Sequence, residues 1–235
     1  MKHTDWMSLA ETERERTLSL LALLDPVDWK KPTDCPAWDV RELVAHLVGM
    51  AEMQASVREN VRIMRLGKRA ARGRPTIDGV TEVQVRERTD VMPEELLQDL
   101  SDATARALVA RRRTPAPLRA IPIPFGPPLG TKPLGYLVDR IYTRDAWMHR
   151  IDIARATDRS IELTSGHDGK IVADVMAEWA GVHGQPYDAA LTGPAGGRFR
   201  RESGGEEIRM DAVEFARLLA GRGTGAGLLA TTVPF

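Results

Sequence analysis

A single cysteine, Cys35, stands in the 235 residues, so no disulfide can form within the chain and no multi-cysteine zinc cluster can be built. Any metal must be held by histidines and carboxylates, and Cys35 reads as a packing residue rather than a nucleophile. Net charge is also missing. Basic and acidic residues both number 33, so no overall positive field draws in a phosphate backbone, and nucleic acid is not an expected partner. Long apolar runs are absent too. Stretches such as Leu20 to Leu24 fall far short of the roughly 20 residues a membrane helix needs, so no membrane span is expected. The segment Met1 to Ala10 carries Asp5 and lacks a basic stretch followed by an apolar one, so no secretory signal is read there and the cytoplasm is the expected location.

What is present is an ordinary globular composition, 43% hydrophobic and 28% charged, over a length that suits two modest domains. Apolar residues at helical spacing predict a first helix from Trp6 to Leu24, stopped at Asp25-Pro26. Asp39 is placed to cap a long second helix running to about Lys68, with Leu43, Leu47, Met50 and Val57 in its core stripe. Residues Ala70 to Gly79 read as a solvated link, with a shorter helix after it. Pro93 suits the first turn of a third helix reaching Arg113. The seven prolines between Thr114 and Pro133 predict a long irregular crossing. Thr131 then opens a fourth helix, Pro133 to about Ala156. Four long helices with one extended connection predict a bundle over residues 1–160.

Beyond it the pattern changes. A helix over Asp168 to Gly181, short segments at Ala189 to Thr192, Gly197 to Arg201 and Glu207 to Met210, a helix from Asp211 to Ala220 and a last strand near Leu228 to Val233 predict a small α/β domain over 161–235. The fold class is therefore α+β.

One constellation carries chemistry. Asp145 and His149 are four residues apart and stand one turn from each other on one helix face, in a stripe that otherwise points into the bundle. His46 sits likewise in the stripe of Leu43, Met50 and Met53. Three buried polar groups need partners. One divalent metal would satisfy all three, since two imidazoles and a carboxylate suit zinc or a similar ion and leave one position open. On spacing alone the plainer alternative stands beside it: a helical Asp–His pair and an ordinary core histidine.

The stretch Thr33-Asp34-Cys35-Pro36-Ala37-Trp38-Asp39-Val40-Arg41-Glu42-Leu43-Val44-Ala45-His46-Leu47 resembles the metal-binding domain of the mycothiol-dependent maleylpyruvate isomerases, in the DinB-like superfamily. Asp145-Ala146-Trp147-Met148-His149-Arg150-Ile151-Asp152-Ile153-Ala154 is similar to the family's other metal-binding helix. Leu191-Thr192-Gly193-Pro194-Ala195-Gly196-Gly197 and Ala220-Gly221-Arg222 are similar to its C-terminal α/β domain. The resemblance implies a DinB-like four-helix bundle followed by that domain, with His46, Asp145 and His149 as metal ligands and Arg222 facing the substrate. Read from its position alone, Arg222 is equally a helix-end cation complementing the dipole. Two departures are visible: the isomerase prototype has Glu where Asp145 stands, and the family word usually has Gly where Ala37 stands.

The resemblance further implies mycothiol as a cofactor whose sulfur takes the open metal position, and a small electrophile, one that can bear a carboxylate, as substrate. In the isomerase reaction the thiolate adds to a cis double bond, the resulting single bond rotates, and elimination gives the trans isomer. An isomerase or thiol transferase is therefore the first expectation. A metal hydrolase using bound water, or a non-enzymatic metal-binding or stress-response protein, are the others.

Overall fold

The computed structural model describes residues 1–126 and 129–235. They divide into two compact units, Met1–Arg159 and Ser160–Phe235.

The first unit is helical. Helix α1 spans His3–Leu21, with Trp6, Leu9, Leu20 and Leu21 buried. Its last turn tightens, Leu23 and Leu24 donating to Leu20 and Leu21, so the helix stops before the Asp25-Pro26 break. Helix α2, Val40–Ala55, starts in a capping box. Asp39 accepts from the Glu42 amide at 2.8 Å, and Glu42 accepts from the Asp39 amide at 3.0 Å.

The expected continuous helix to Lys68 is broken at Ser56. That residue is extended (φ −141°, ψ 119°), closes α2 through its amide to Glu52, and caps α3, Val57–Ala71, with its hydroxyl. The solvated link expected over 70–79 is shorter, because α4 already begins within it at Thr76 and runs to Arg86. Helices α3 and α4 pack closely: a Cβ on Gly79 would lie 2.0 Å from the Gly67 carbonyl oxygen. Met53, Ile63, Val80 and Val83 form a satellite core that fixes this pair on α2.

Helix α5, Pro93–Arg112, begins at its proline as the sequence predicts. A short helix α6, Ala116–Arg119, follows. The proline-rich crossing is then not irregular: β1 (Pro122–Gly126) pairs antiparallel with β2 (Gly130–Pro133), so Thr131 lies in a strand and opens no helix. In a two-stranded ribbon both strands are edges, where a residue without an N–H is tolerated. Pro127 and Pro128, of the seven prolines, lie outside the described residues. A π-helical turn, Tyr136–Ile141, leads into α7, Tyr142–Thr157.

Helices α1, α2, α5 and α7 pack against one another around Leu43, Leu100, Trp147, Met148 and Ile151. Within this core Arg150 of α7 donates to both oxygens of Glu13 of α1, at 2.6 and 3.1 Å. The pair locks the register of the two helices. No helix among the described residues is long and apolar enough to cross a membrane.

The second unit is α/β. Helix α8, Asp168–His183, precedes a three-stranded sheet of order β4-β3-β5, formed by β3 (Tyr187–Thr192), β4 (Gly197–Arg201) and β5 (Glu206–Asp211). Strand β3 runs antiparallel to β4 and parallel to β5. The residues Ala189, Leu191 and Ile208 are buried, as are Trp179 of α8 and Phe215 of α9, Ala212–Leu219. Asp211 caps α9, accepting from Val213 at 2.8 Å and Glu214 at 3.2 Å. The last strand expected near 228–233 does not form. A 3-10 turn, Gly227–Ala230, takes its place, since the Leu228 carbonyl accepts from the Trp179 indole and its amide donates to Glu206.

Candidate metal centre

The loop before α2 is built to hold one aromatic ring. The Thr33 hydroxyl accepts from the Cys35 amide at 3.1 Å and donates to the Trp38 carbonyl at 2.9 Å, which closes the segment into a tight turn. Trp38 is thereby stacked on His46, with ring centroids 5.0 Å apart and planes at 29°. His46 is buried on α2, and its Nδ1 donates to Oε1 of Gln84 at 2.8 Å. That bond places the ring's lone pair on Nε2.

Gln84 is itself fixed. It is fully buried on α4, its amide nitrogen donates to Met53 Sδ at 3.0 Å, and its aliphatic part lies where a Cβ on Gly49 would be only 2.5 Å from Cγ. The α3–α4 pair therefore delivers one carboxamide to the back of His46.

Helix α7 supplies the rest. His149 is buried with its ring edge-on to His46, centroids 5.2 Å apart. Its Nε2 lies 3.4 Å from Oδ1 of Asp145, and its Nδ1 lies 3.1 Å from Oδ2 of the fully buried Asp152. Positions 145, 149 and 152 form one stripe of the helix, so a single imidazole is held on both nitrogens by carboxylates of its own helix. Cys35 donates to the same Asp152 oxygen at 3.8 Å. Burial works against a charge on His149. Asp145 foremost, then Asp152 and Cys35, outweigh it and hold its pKa well above the ordinary imidazole value.

Donor atoms of His46, Asp145 and His149 all lie within 4.8 Å of one another. A second group with that spacing, Cys35, His149 and Asp152, shares the histidine. The first is the better metal set. Its two imidazoles have their Nδ1 atoms taken by Gln84 and Asp152, which leaves Nε2 to offer, whereas in the second set His149 and Cys35 both already bond the one oxygen, Oδ2, of Asp152. The residues fit a divalent ion: two buried imidazoles whose Nδ1 atoms are occupied, leaving Nε2 for an ion that displaces the His149 proton, with a half-buried carboxylate beside them.

The profile of the family described as "Mycothiol maleylpyruvate isomerase N-terminal domain" matches residues 10–154. The chain belongs to this family. Two solved structures share the fold. The mycothiol-dependent maleylpyruvate isomerase matches with a TM-score of 0.61 at 17% identity, over 95% of this chain and 90% of that one. A histidine-to-alanine mutant of that enzyme matches with a TM-score of 0.60 at 16% identity, over the same shares. No curated protein sequence matches the chain.

Within this maleylpyruvate isomerase family member, Arg222 lies just after α9 in the second unit. Its amide donates to the Arg217 carbonyl and its Nη1 to the Ala220 carbonyl at 3.1 Å, the contact of a helix-end cation. Sequence reasoning missed Gln84, Asp152 and the role of Cys35. Asp152 was signalled by its place three residues after His149 on the same stripe. Gln84 was signalled only as a polar residue following Val80 and Val83 on the inner face of a short helix.

Proposed function

We propose that this protein is a metal-dependent, mycothiol-using enzyme of the maleylpyruvate isomerase type, catalysing thiol addition to a small electrophile as an isomerase or thiol transferase. The observation that carries the reading is the orientation of the two imidazoles. Each is held at Nδ1 by a buried acceptor, which leaves Nε2 to offer, and donor atoms of both rings and of the Asp145 carboxylate lie within 4.8 Å of one another.

His46, Asp145 and His149 hold the ion, for which zinc is the natural choice with this donor set. A bound divalent ion lowers the pKa of a coordinated thiol, so that a cofactor's sulfur is a thiolate at neutral pH. Gln84 and Asp152 keep the imidazoles in their metal-binding tautomer, and the Trp38 ring covers one face of His46 against water. The chain's own thiol does not do this work, because Cys35 sits on the Nδ1 side of His149 against Asp152. A sulfur nucleophile must then be brought in, which agrees with the mycothiol dependence named for the solved relatives. Arg222 is proposed as the second-unit residue that orients the substrate.

Native mass spectrometry of the purified protein, with and without mycothiol, tests the reading by reporting metal and thiol together. One metal per chain and a thiol adduct that disappears on metal removal are expected. A thiol adduct of equal strength on the metal-free protein overturns it, and turnover of an ester without thiol assigns a metal-bound water instead.

A further inference from the structure

A cavity of about 70 Å³ lies inside the helical unit between α1, α2, α5 and α7, with Leu47, Met50, Arg14, Arg111, Tyr142 and Asp145 in its wall. At roughly 10–15 Å³ per water it has room for about five waters, or for a carboxylate on a short carbon chain. Its wall is mostly apolar, yet it carries two guanidinium groups. Arg111 is only 7% exposed. Its Nε donates to the Val138 carbonyl at 2.8 Å, and its Nη2 to the Thr143 hydroxyl at 2.7 Å and the Asp139 carbonyl at 3.4 Å. Arg14 donates through Nε to the Thr104 hydroxyl at 3.0 Å, and through Nη2 to the Ser101 carbonyl and hydroxyl at 3.0 and 3.2 Å.

Every one of these acceptors is neutral. Among the described residues neither arginine forms an ion pair, and Nη1 of each makes no hydrogen bond. The Tyr142 hydroxyl likewise bonds to no described residue, although the side chain is 9% exposed and Arg111 stands over its ring, 5.9 Å from the centroid. Burial, opposed by Arg111 and aided by Asp145, pushes its pKa up to about 12, so the hydroxyl stays a donor at neutral pH. Asp139, the acid that attracts Arg111 through space, is itself held by His3 at 2.8 Å and Arg119 at 3.4 Å. A buried cation and a phenol beside a small apolar cavity, with half-buried Arg14 next to them and no anion of their own, are costly unless a ligand supplies one.

We propose that this cavity seats the carboxylate of a small organic acid, held by Arg111 and Arg14 with Tyr142 as a third donor, beside the Asp145 wall it shares with the metal set. The proposal rests on the metal reading for its link to catalysis but not for the binding itself. Asp145 is the one acid in the wall; without an ion its charge is offset only by His149, whereas a divalent ion beside it adds net positive charge to the site. The carboxylate therefore binds more tightly to metal-loaded than to metal-stripped protein.

Calorimetric titration of the full chain with maleate, metal-loaded and metal-stripped, decides it. Arg14→Met and Tyr142→Phe should each weaken maleate binding, by about tenfold to a hundredfold for the charged contact and less for the hydroxyl, with metal content unchanged. Asp145→Asn, stripped of metal, should bind maleate more tightly than stripped wild type. Arg111→Met should abolish binding if it folds; because its guanidinium also satisfies carbonyls before α7, Arg14→Met and Tyr142→Phe decide if it does not. Unchanged affinity in those two variants, no maleate binding by the wild type at millimolar concentration, or a preference for inorganic phosphate overturns the proposal. A wild type that takes up no metal while the stripped series behaves as stated removes the metal reading and leaves the anion seat standing.

Discussion

Replacing Gln84 by Leu removes the hydrogen bond behind His46 together with the weak one to the Met53 sulfur. The substitution keeps the side chain's approximate volume at a fully buried site, and Met53, Ile63, Val80 and Val83 still hold α4 in place, so the protein should remain folded. What is lost is the 2.8 Å contact that keeps the proton on Nδ1 and the lone pair on Nε2. Outer acceptors of this kind are worth roughly tenfold to a hundredfold in metal affinity, or about 1.4–2.7 kcal/mol. Gln84→Glu, which offers the same proton a carboxylate, should retain metal binding. Gly49→Ala should act in the same direction as Gln84→Leu, because the new methyl would stand 2.5 Å from Gln84 Cγ and drive the carboxamide off the ring. Competition for zinc against a chromophoric chelator measures the effect, with circular dichroism as the check on folding. A folded Gln84→Leu protein that binds zinc as tightly as wild type would refute the argument that the back of the imidazole is part of the site.

Four further outcomes are expected. Glu13→Ala should destabilise the helical unit by about 3–5 kcal/mol, read from denaturant unfolding, because it strips Arg150, 1% exposed, of its bidentate partner. Metal uptake should expel about one proton near neutral pH, seen as a dependence of the binding heat on buffer ionisation, since His149 is otherwise held as the imidazolium; affinity should fall as pH drops below the raised pKa of that residue. In the metal-free protein the same group contributes stability that is full below its unfolded value, about 6.5, and is lost as pH rises through the folded one. Arg222→Ala should keep metal and melting temperature yet lose roughly tenfold to a hundredfold in kcat/KM if it orients an anionic substrate; unchanged activity would leave it the helix-end cation that its bond to Ala220 describes.

Local chemistry was legible in the sequence wherever a few neighbouring residues decide the outcome. Asp39 with Glu42 starts α2, Pro93 starts α5, and the turn-flanked run from Gly197 to Arg201 is a strand, because caps and turns act within a few residues. The four-residue spacing of Asp145 and His149 put both on one face, and the words around them carried the family. A single cysteine by itself leaves histidines and carboxylates as the side chains that could hold a metal.

The tertiary structure decided what lies between elements. Periodicity says which face of a helix is buried but not which other face meets it, so only the packed bundle brings His46 within reach of a helix about a hundred residues away. Ser56 reads in sequence as one residue inside a helix that continues to Val57 and beyond. It becomes a corner because α3 and α4 fold back on α2, and that same corner carries Gln84 to His46. The proline-rich crossing becomes a ribbon and the last segment a 3-10 turn for a related reason. Their backbone groups are satisfied by partners outside their own turn, Ile123 opposite Lys132 and Leu228 on Trp179, and nothing local names those partners.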